Sequence, residues 1–200
     1  MDILKKRFAD FQQYLGHDFG DDDDVEGAVL FETLPLIGMV VLLFNALEKS
    51  IDSAICEAIN DRTDSVGLLV IHGMPYGQKV DVYERLCEDL HATVEGPVPS
   101  FQGLIARLKA VSVLRNLVVH ADWLSSDAKG YTYTRLHIKR GGMRQEYVQL
   151  TPDSMGKVAA AIQGASAQFD AYLDERGELL RDKRHDPPKV DAAEPPSLPA

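Results

Sequence analysis

The sequence has little cysteine and little tryptophan, with two residues of the first and one of the second among 200. Cys56 and Cys87 lie far apart and show no paired spacing. Two such residues are too few for a disulfide scaffold or a thiolate zinc site, so a reducing compartment is the simplest setting. Both fall at apolar helical positions, and we expect buried thiols there.

Long apolar runs and a signal-peptide pattern are also missing. The chain begins Met1-Asp2-Ile3-Leu4-Lys5-Lys6 and turns acidic soon afterwards, with no apolar central region. The longest apolar stretch, residues 36–44, is interrupted by Gly38 and is shorter than the ~20 residues that cross a bilayer. These features predict a cytoplasmic protein with no membrane association.

Positive charge is scarce. The chain has 21 Lys and Arg against 31 Asp and Glu, a formal net charge of −10 and a pI of about 5.0. This balance argues against a surface coated in positive charge for duplex DNA, although it leaves room for a small basic cleft. The apolar fraction of 45% is ordinary for a globular protein, and 200 residues fit one domain with a tail.

Helical spacing dominates the first two thirds of the chain. Apolar residues at positions 4, 8, 11 and 15 predict an N-terminal helix, and an acidic loop at 21–24 completes a region that we place at 1–24. A helix is predicted to begin after this loop, with Pro35 inside it as a kink or a separation into two pieces, and strong periodicity over 36–59 marks the long core helix. Shorter helices are predicted over 66–73 and 80–90, and a further helix after Ser100 as its N-cap.

The apolar period changes from helical to two after residue 127. Residues 131–140 and 143–150 predict two strands joined by a Gly141-Gly142 turn. Thr151 and Pro152 then start a last helix. We therefore expect a mainly α fold: a helical domain over 25–180 with a β-hairpin at 130–150 inserted before the last helix. Residues 181–200 are charged and then proline-rich, which predicts a disordered tail.

One stretch, Leu114 to Trp123, does not fit an ordinary core helix. It places Arg115, Asn116 and His120 among apolar residues, and burying such groups unpaired is costly. Asn116 and His120 are four residues apart and share a helix face, whereas Arg115 must curl its long side chain to reach that face.

These three residue types suit phosphodiester chemistry. Histidine exchanges a proton near neutral pH, and arginine binds phosphate through two parallel hydrogen bonds. Asparagine can orient an imidazole or a ribose hydroxyl. A purely structural interpretation stays open, in which the three residues tie the helix end to Glu48, Asp52 or Asp122.

The pattern Arg115-Asn116-x-x-x-His120 at a helix end, followed by Asp122-Trp123, resembles the signature of the HEPN superfamily. The resemblance covers roughly residues 36–123 and includes a long preceding helix that carries Glu48. It implies a small antiparallel helical bundle that dimerises through two signature helices. Many HEPN proteins are metal-independent endoribonucleases of toxin–antitoxin, phage-defence and CRISPR-associated systems, whereas others are inactive binding or dimerisation modules.

The resemblance implies a homodimeric endoribonuclease with Arg115, Asn116 and His120 as catalytic residues and Glu48 and Asp122 as possible support. The ribose 2′-hydroxyl would attack the phosphate and leave a cyclic phosphate, without metal or cofactor. RNA would be the substrate, and an antitoxin or a nucleotidyltransferase a possible regulator. The alternative is a non-catalytic HEPN-like module that binds protein or nucleotide.

The predicted hairpin is the most basic local region. Arg135, Lys139, Arg140 and Arg144 lie on it and are candidates for RNA contact. The alternative is that they are solvated strand residues whose charges discourage edge-to-edge pairing.

Overall fold

The computed structural model describes residues 4–10, 23–60, 62–93, 96, 98–121 and 131–185. This part of the chain is mainly helical, with five α-helices and a small antiparallel sheet. The elements in chain order are β1 (Lys5–Asp10), α1 (Asp23–Ile59), α2 (Ser65–Ile71), α3 (Tyr76–Thr93), a 3₁₀ turn (Pro99–Phe101), α4 (Leu104–Val119), β2 (Tyr131–Lys139), β3 (Gly142–Gln149) and α5 (Pro152–His185).

The long helix α1 is the centre of the bundle and contacts each of the other four helices. Its stripe of Val40, Phe44, Leu47, Ile51 and Ile55 is at most 2% exposed. Residues spaced three and four apart lie on one helix face, so this pattern forces one side of α1 inward. Each such side chain contributes about 1.5–3 kcal/mol on burial. The predicted long core helix is confirmed.

Helix α2 packs against α1 through a glycine. A Cβ at Gly67 would lie 2.5 Å from the Cα of Cys56, closer than any side chain tolerates. Cys56 and Cys87 are both free and buried, as expected. The close contact explains why α2 stays on α1 although several of its apolar side chains are exposed.

Pro35 neither breaks α1 nor divides it into two pieces. Proline lacks the N–H that would bond the carbonyl of Phe31, one turn earlier. Both Pro35 and Phe31 are exposed, so water can reach that carbonyl. The helix therefore continues through the proline.

Residues Phe31–Ile59 form a helix that is long and apolar enough to cross a membrane by length and composition. The run over 36–44 is thus only part of a longer apolar helix. Its stripe from Val40 to Ile55 packs against the other helices, and 22% of its most apolar window is buried. Within the described ranges, it is the one helix with these properties.

The prediction of an N-terminal helix is wrong for Lys5–Asp10, which form a strand paired antiparallel with β3. The helical spacing of Leu4 and Phe8 is overridden because a hairpin alone is only marginally stable and gains a third strand here. The sheet has the order β1-β3-β2, and Leu4, Val148 and Leu150 join it to the core. Residues 11–22, which include the rest of the predicted helix, lie outside the described part.

Two predicted boundaries are also wrong. Ser100 is not the N-cap of α4, because Gly103 adopts a φ of 74° between the 3₁₀ turn and the helix and becomes the N-cap itself. The hairpin turn is Arg140-Gly141, one residue earlier than predicted, since Lys139 pairs with Gly142. Gly142 has a φ of 120°, a conformation that favours glycine.

The last helix begins as predicted, at Pro152, with Thr151 before it. The Ser154 N–H donates to Thr151 Oγ1 (3.2 Å), and the Thr151 N–H donates to Ser154 Oγ (2.7 Å). Helix α5 runs to His185, so the prediction of disorder is wrong for 181–185. Leu179, close to the predicted boundary, is partly buried against the core. Residues 186–200 lie outside the described part.

Candidate functional site

The last two turns of α4 hold the three residues singled out in the sequence. Leu104, Leu108, Val111 and Val118 bury one side of α4 in the bundle. The opposite side presents Lys109, Val113, Asn116 and His120 to solvent, at spacings of four, three and four residues. We call these four residues the α4 stripe. The helical period therefore puts two of the three candidate residues on one exposed line.

Asn116 and His120 are both exposed at the end of the helix. His120 is the C-cap residue, and its backbone N–H donates to the Asn116 carbonyl oxygen at 3.0 Å. Since the backbone bond closes the helix, the imidazole is not needed as a cap. In the described part of the chain no hydrogen bond to the imidazole is seen, and His120 is an exposed residue.

Arg115 lies between the core and the surface. Its Nη1 donates to Asn116 Oδ1 at 3.1 Å, and its Cζ lies 5.3 Å from the centroid of the Phe44 ring. Its Nε is buried without a hydrogen-bond partner among the described residues. The guanidinium therefore curls toward Asn116, as its length allows, and is held on the other side by a cation–π contact.

An aromatic pair supports this guanidinium. The Phe44 ring lies 4.5 Å from the Tyr76 ring, and the Tyr76 hydroxyl donates to the Leu108 carbonyl oxygen at 3.2 Å. Burial, helped by the charge of Glu48, raises the pKa of Tyr76, so the phenol stays neutral. Helices α1, α3 and α4 thus meet beneath Arg115. Phe44 and Tyr76 were not singled out in the sequence because their spacing is that of ordinary core residues.

Glu48 and Asp52 bind a lysine of α3. Lys79 Nζ donates to Glu48 Oε1 at 2.8 Å and to Asp52 Oδ2 at 2.9 Å. Burial alone would lower the pKa of Lys79, but the two carboxylates outweigh it and the pKa is raised. No contact among the described residues joins either carboxylate to Arg115 or His120. Glu48 therefore links α1 to α3, one helical turn from Phe44. Asp122, the other residue expected to support the site, lies outside the described part of the chain.

The basic candidates lie on the sheet. Arg135, Lys139, Arg140 and Arg144 are all exposed. Within the described ranges, no hydrogen bond or ion pair links them to the three residues of α4. The structure thus brings Arg115, Asn116 and His120 together at one helix end and leaves the basic residues on a separate surface.

A concavity lies between α1 and α5. It has a volume of about 390 Å³, and its polar lining consists of Ser50, Gln163, Ser166 and Asp170. Ser50 is engaged, because its hydroxyl donates to the Ala46 carbonyl oxygen at 3.2 Å. None of the three residues of α4 lines this groove. Among the described residues, no three or more His, Cys, Asp or Glu side chains are grouped as a metal site would require.

Comparison with known proteins adds no relative: no family model, no curated protein and no solved structure matches this chain.

Proposed function

We propose that this chain is an HEPN-like, metal-independent endoribonuclease that acts as a cytoplasmic homodimer, in the role of a toxin or a phage-defence effector. The observation that supports the proposal most is the arrangement at the end of α4. Arg115 is held against Phe44 and Asn116, and His120, an exposed residue, is the C-cap of the same helix. Residue types suited to proton transfer and to phosphate binding are thus present at one helix end.

The chemistry follows from these residue types. A neutral His120 takes the proton of the ribose 2′-hydroxyl as its oxygen attacks phosphorus. The bond from phosphorus to the 5′-oxygen breaks, and a protonated histidine gives that oxygen its proton. Arg115 stabilises the negative charge that builds on the phosphate oxygens. The products are a 2′,3′-cyclic phosphate and a 5′-hydroxyl.

One chain offers a single histidine at this site, whereas the reaction uses a base and an acid. A second copy placed on the α4 stripe supplies the second His120. Val113 is 61% exposed and Val119 is 38% exposed, both close to Asn116. A two-fold contact places the same surface of both chains together, so these valines would bury each other and bring the two sites into one cleft.

A non-catalytic HEPN-like module is the second candidate, and one observation favours it. Asn116 Oδ1 is already occupied by Arg115 Nη1, so these two side chains also stabilise the helix end by themselves. In such a module the same surface would bind a protein or a nucleotide without cleaving RNA.

The test is cleavage of RNA by the purified chain and by a His120→Ala variant. We expect the variant to lose cleavage while keeping its helical circular dichroism and its oligomeric state. His72 is the matched control, because it is also exposed and directly follows a helix, α2. His72→Ala should cleave like the parent chain. Equal cleavage by His120→Ala, or no cleavage by the parent chain, would contradict the nuclease and favour the module.

A further inference from the structure

The sheet concentrates the positive charge of an acidic chain. Its three strands and the β2–β3 turn contain seven of the 21 Lys and Arg residues but only two of the 31 Asp and Glu residues. Helices α1 and α3 are acidic, with eleven Asp and Glu against three Lys and Arg, whereas α4 has three Lys and Arg and no acidic residue. A polyanion is therefore attracted to the sheet and repelled by the acidic helices α1 and α3.

One face of the sheet carries an exposed aromatic ring among these charges. Phe8 of β1 is 50% exposed, and its centroid lies 5.8 Å from that of His137 on β2. The Cζ of Arg144 on β3 lies 5.6 Å from the same ring. All three strands thus contribute to one surface, which we call the Phe8 face; it consists of Lys6, Phe8, Asp10, Arg135, His137, Arg144 and Glu146.

The strand register places these residues on the same side. Phe8 pairs with Glu146, and Glu146 pairs with Arg135 on the other side of β3. Directly opposed residues point to the same face of a sheet. Lys5 and Ile138 neighbour Lys6 and His137 along their strands and so belong to the opposite face, where both are exposed.

The Phe8 face has two acidic residues by register, Asp10 opposite Arg144 and Glu146 opposite Phe8, and Glu146 is already paired. Glu146 accepts from His137 Nε2 at 2.9 Å, and Lys6 Nζ lies 3.2 Å from its other oxygen. Burial would raise the pKa of Glu146, yet these two partners lower it. Its negative charge is therefore compensated locally. Arg135 and Arg144 are exposed, and in the described part of the chain no carboxylate forms an ion pair with them.

We infer that the Phe8 face binds single-stranded RNA, with a base stacked beside Phe8 and Arg144 and with backbone phosphates on Lys6 and Arg135. An exposed ring accepts a base only when that base is unstacked, which favours a single strand over a duplex. The guanidinium of Arg144, which is planar, extends the platform beyond the ring. The choice of RNA as the nucleic acid rests on the proposed function, whereas the binding surface is separate from Arg115 and His120.

Binding can be measured without cleavage. The probe is a fluorescein-labelled, unstructured 2′-O-methyl RNA of about 15 nucleotides, which lacks the attacking hydroxyl. Anisotropy titrations compare the full chain with a Phe8→Ala/Arg144→Gln variant. The matched control is Lys5→Gln/Ile138→Ala, which removes one positive charge and one exposed apolar side chain from the opposite face of the same sheet.

The Phe8→Ala/Arg144→Gln variant should raise the Kd about tenfold or more, since losing a base–aromatic stack weakens binding severalfold for each base. The control should stay within about twofold of the parent, because a single phosphate contact at most is lost. A Phe8→Tyr variant keeps the ring and should also bind within about twofold. Equal weakening by both double variants, unchanged binding by both, or loss of binding by Phe8→Tyr would overturn the inference.

A duplex of the same sequence separates stacking from charge. We expect the parent chain to bind it more weakly than the single strand; equal or tighter binding of the duplex would contradict the stacking platform. Failure of the two proposals is distinguishable. A chain that does not cleave RNA but shows the expected selective loss of binding refutes the nuclease alone. A chain that cleaves RNA, with binding unaffected by the Phe8→Ala/Arg144→Gln variant, refutes the Phe8 face alone.

Discussion

The guanidinium of Arg115 lies over the ring of Phe44, with its Cζ 5.3 Å from the ring centroid, so a residue of the central helix positions the cation of the candidate site. Phe44 is 2% exposed and itself packs on Tyr76. The contact links the bundle core to the end of α4. It means that the candidate site depends on residues that do not touch a substrate.

Replacing Phe44 with Leu tests this dependence. The substitution keeps an apolar side chain and should cost about 1 kcal/mol of stability, whereas the cation–π contact to Arg115 is lost. We expect RNA cleavage to fall by about tenfold or more, since small misplacements of catalytic groups have large effects on rate. Single-turnover kinetics and urea unfolding measure the two effects. Leu47→Met, a change of similar size elsewhere on the α1 stripe, is the control, and equal losses of rate in both variants would contradict a positioning role.

Dimerisation through the α4 stripe is tested at Val113, which is 61% exposed in the single chain. Val113→Glu would place two like charges in a two-fold contact and should convert the dimer to a monomer that no longer cleaves RNA. Light scattering coupled to gel filtration gives the mass. Ile138→Glu, at a side chain that is 72% exposed on the sheet, is the control and should stay dimeric. A monomeric parent chain, or a dimeric Val113→Glu variant, would refute this interface.

Removing Lys79 should destabilise the fold, because Glu48 and Asp52 would remain close together without their shared cation. Lys79→Ala should lower the free energy of unfolding by roughly 2–4 kcal/mol. Urea unfolding provides the value, and Lys49→Ala, at an exposed position of α1, should change it by less than about 0.5 kcal/mol. If Glu48→Gln/Asp52→Asn in the Lys79→Ala chain restores no stability, unpaired negative charge is not the cause.

The stability of the bundle should depend on pH through His91. This side chain is buried, and its ring lies 3.3 Å from the Tyr172 hydroxyl at Nε2. Burial lowers the pKa of His91 from its ordinary value of 6.5. The unfolded chain therefore takes up the proton first, so stability should fall as the pH drops below about 6.5 and stop falling once the folded pKa is passed.

A His91→Gln variant should lose that part of the pH dependence. Urea unfolding between pH 5 and pH 8 gives the difference between the two chains. His72→Gln, at an exposed histidine, is the control and should retain the slope of the parent. A parent chain whose stability rises as the pH falls through this range would contradict the assignment.

Much of the helical architecture could be predicted because periodicity and burial agree there. The apolar spacing from Val40 to Ile55 is compatible only with a helix that buries one face. The Thr151-Pro152 pair marks the start of α5. At the site, the spacing of Asn116 and His120 on one face was enough to place both on the same exposed line. A helical wheel left the direction of the Arg115 side chain open, because this long and flexible side chain can bend toward a neighbouring helix face.

The amino-acid sequence by itself determined the approximate positions of the five helices and of the hairpin, since these follow from local period and turn chemistry. It also determined which helix end carries the arginine, asparagine and histidine. Only the tertiary structure decided that Lys5–Asp10 form a strand, because the pairing partner is more than 130 residues away in the chain. It also decided that Glu48 binds Lys79 and that Arg115 lies on Phe44. Such pairings depend on which helix faces meet, and no local pattern specifies that.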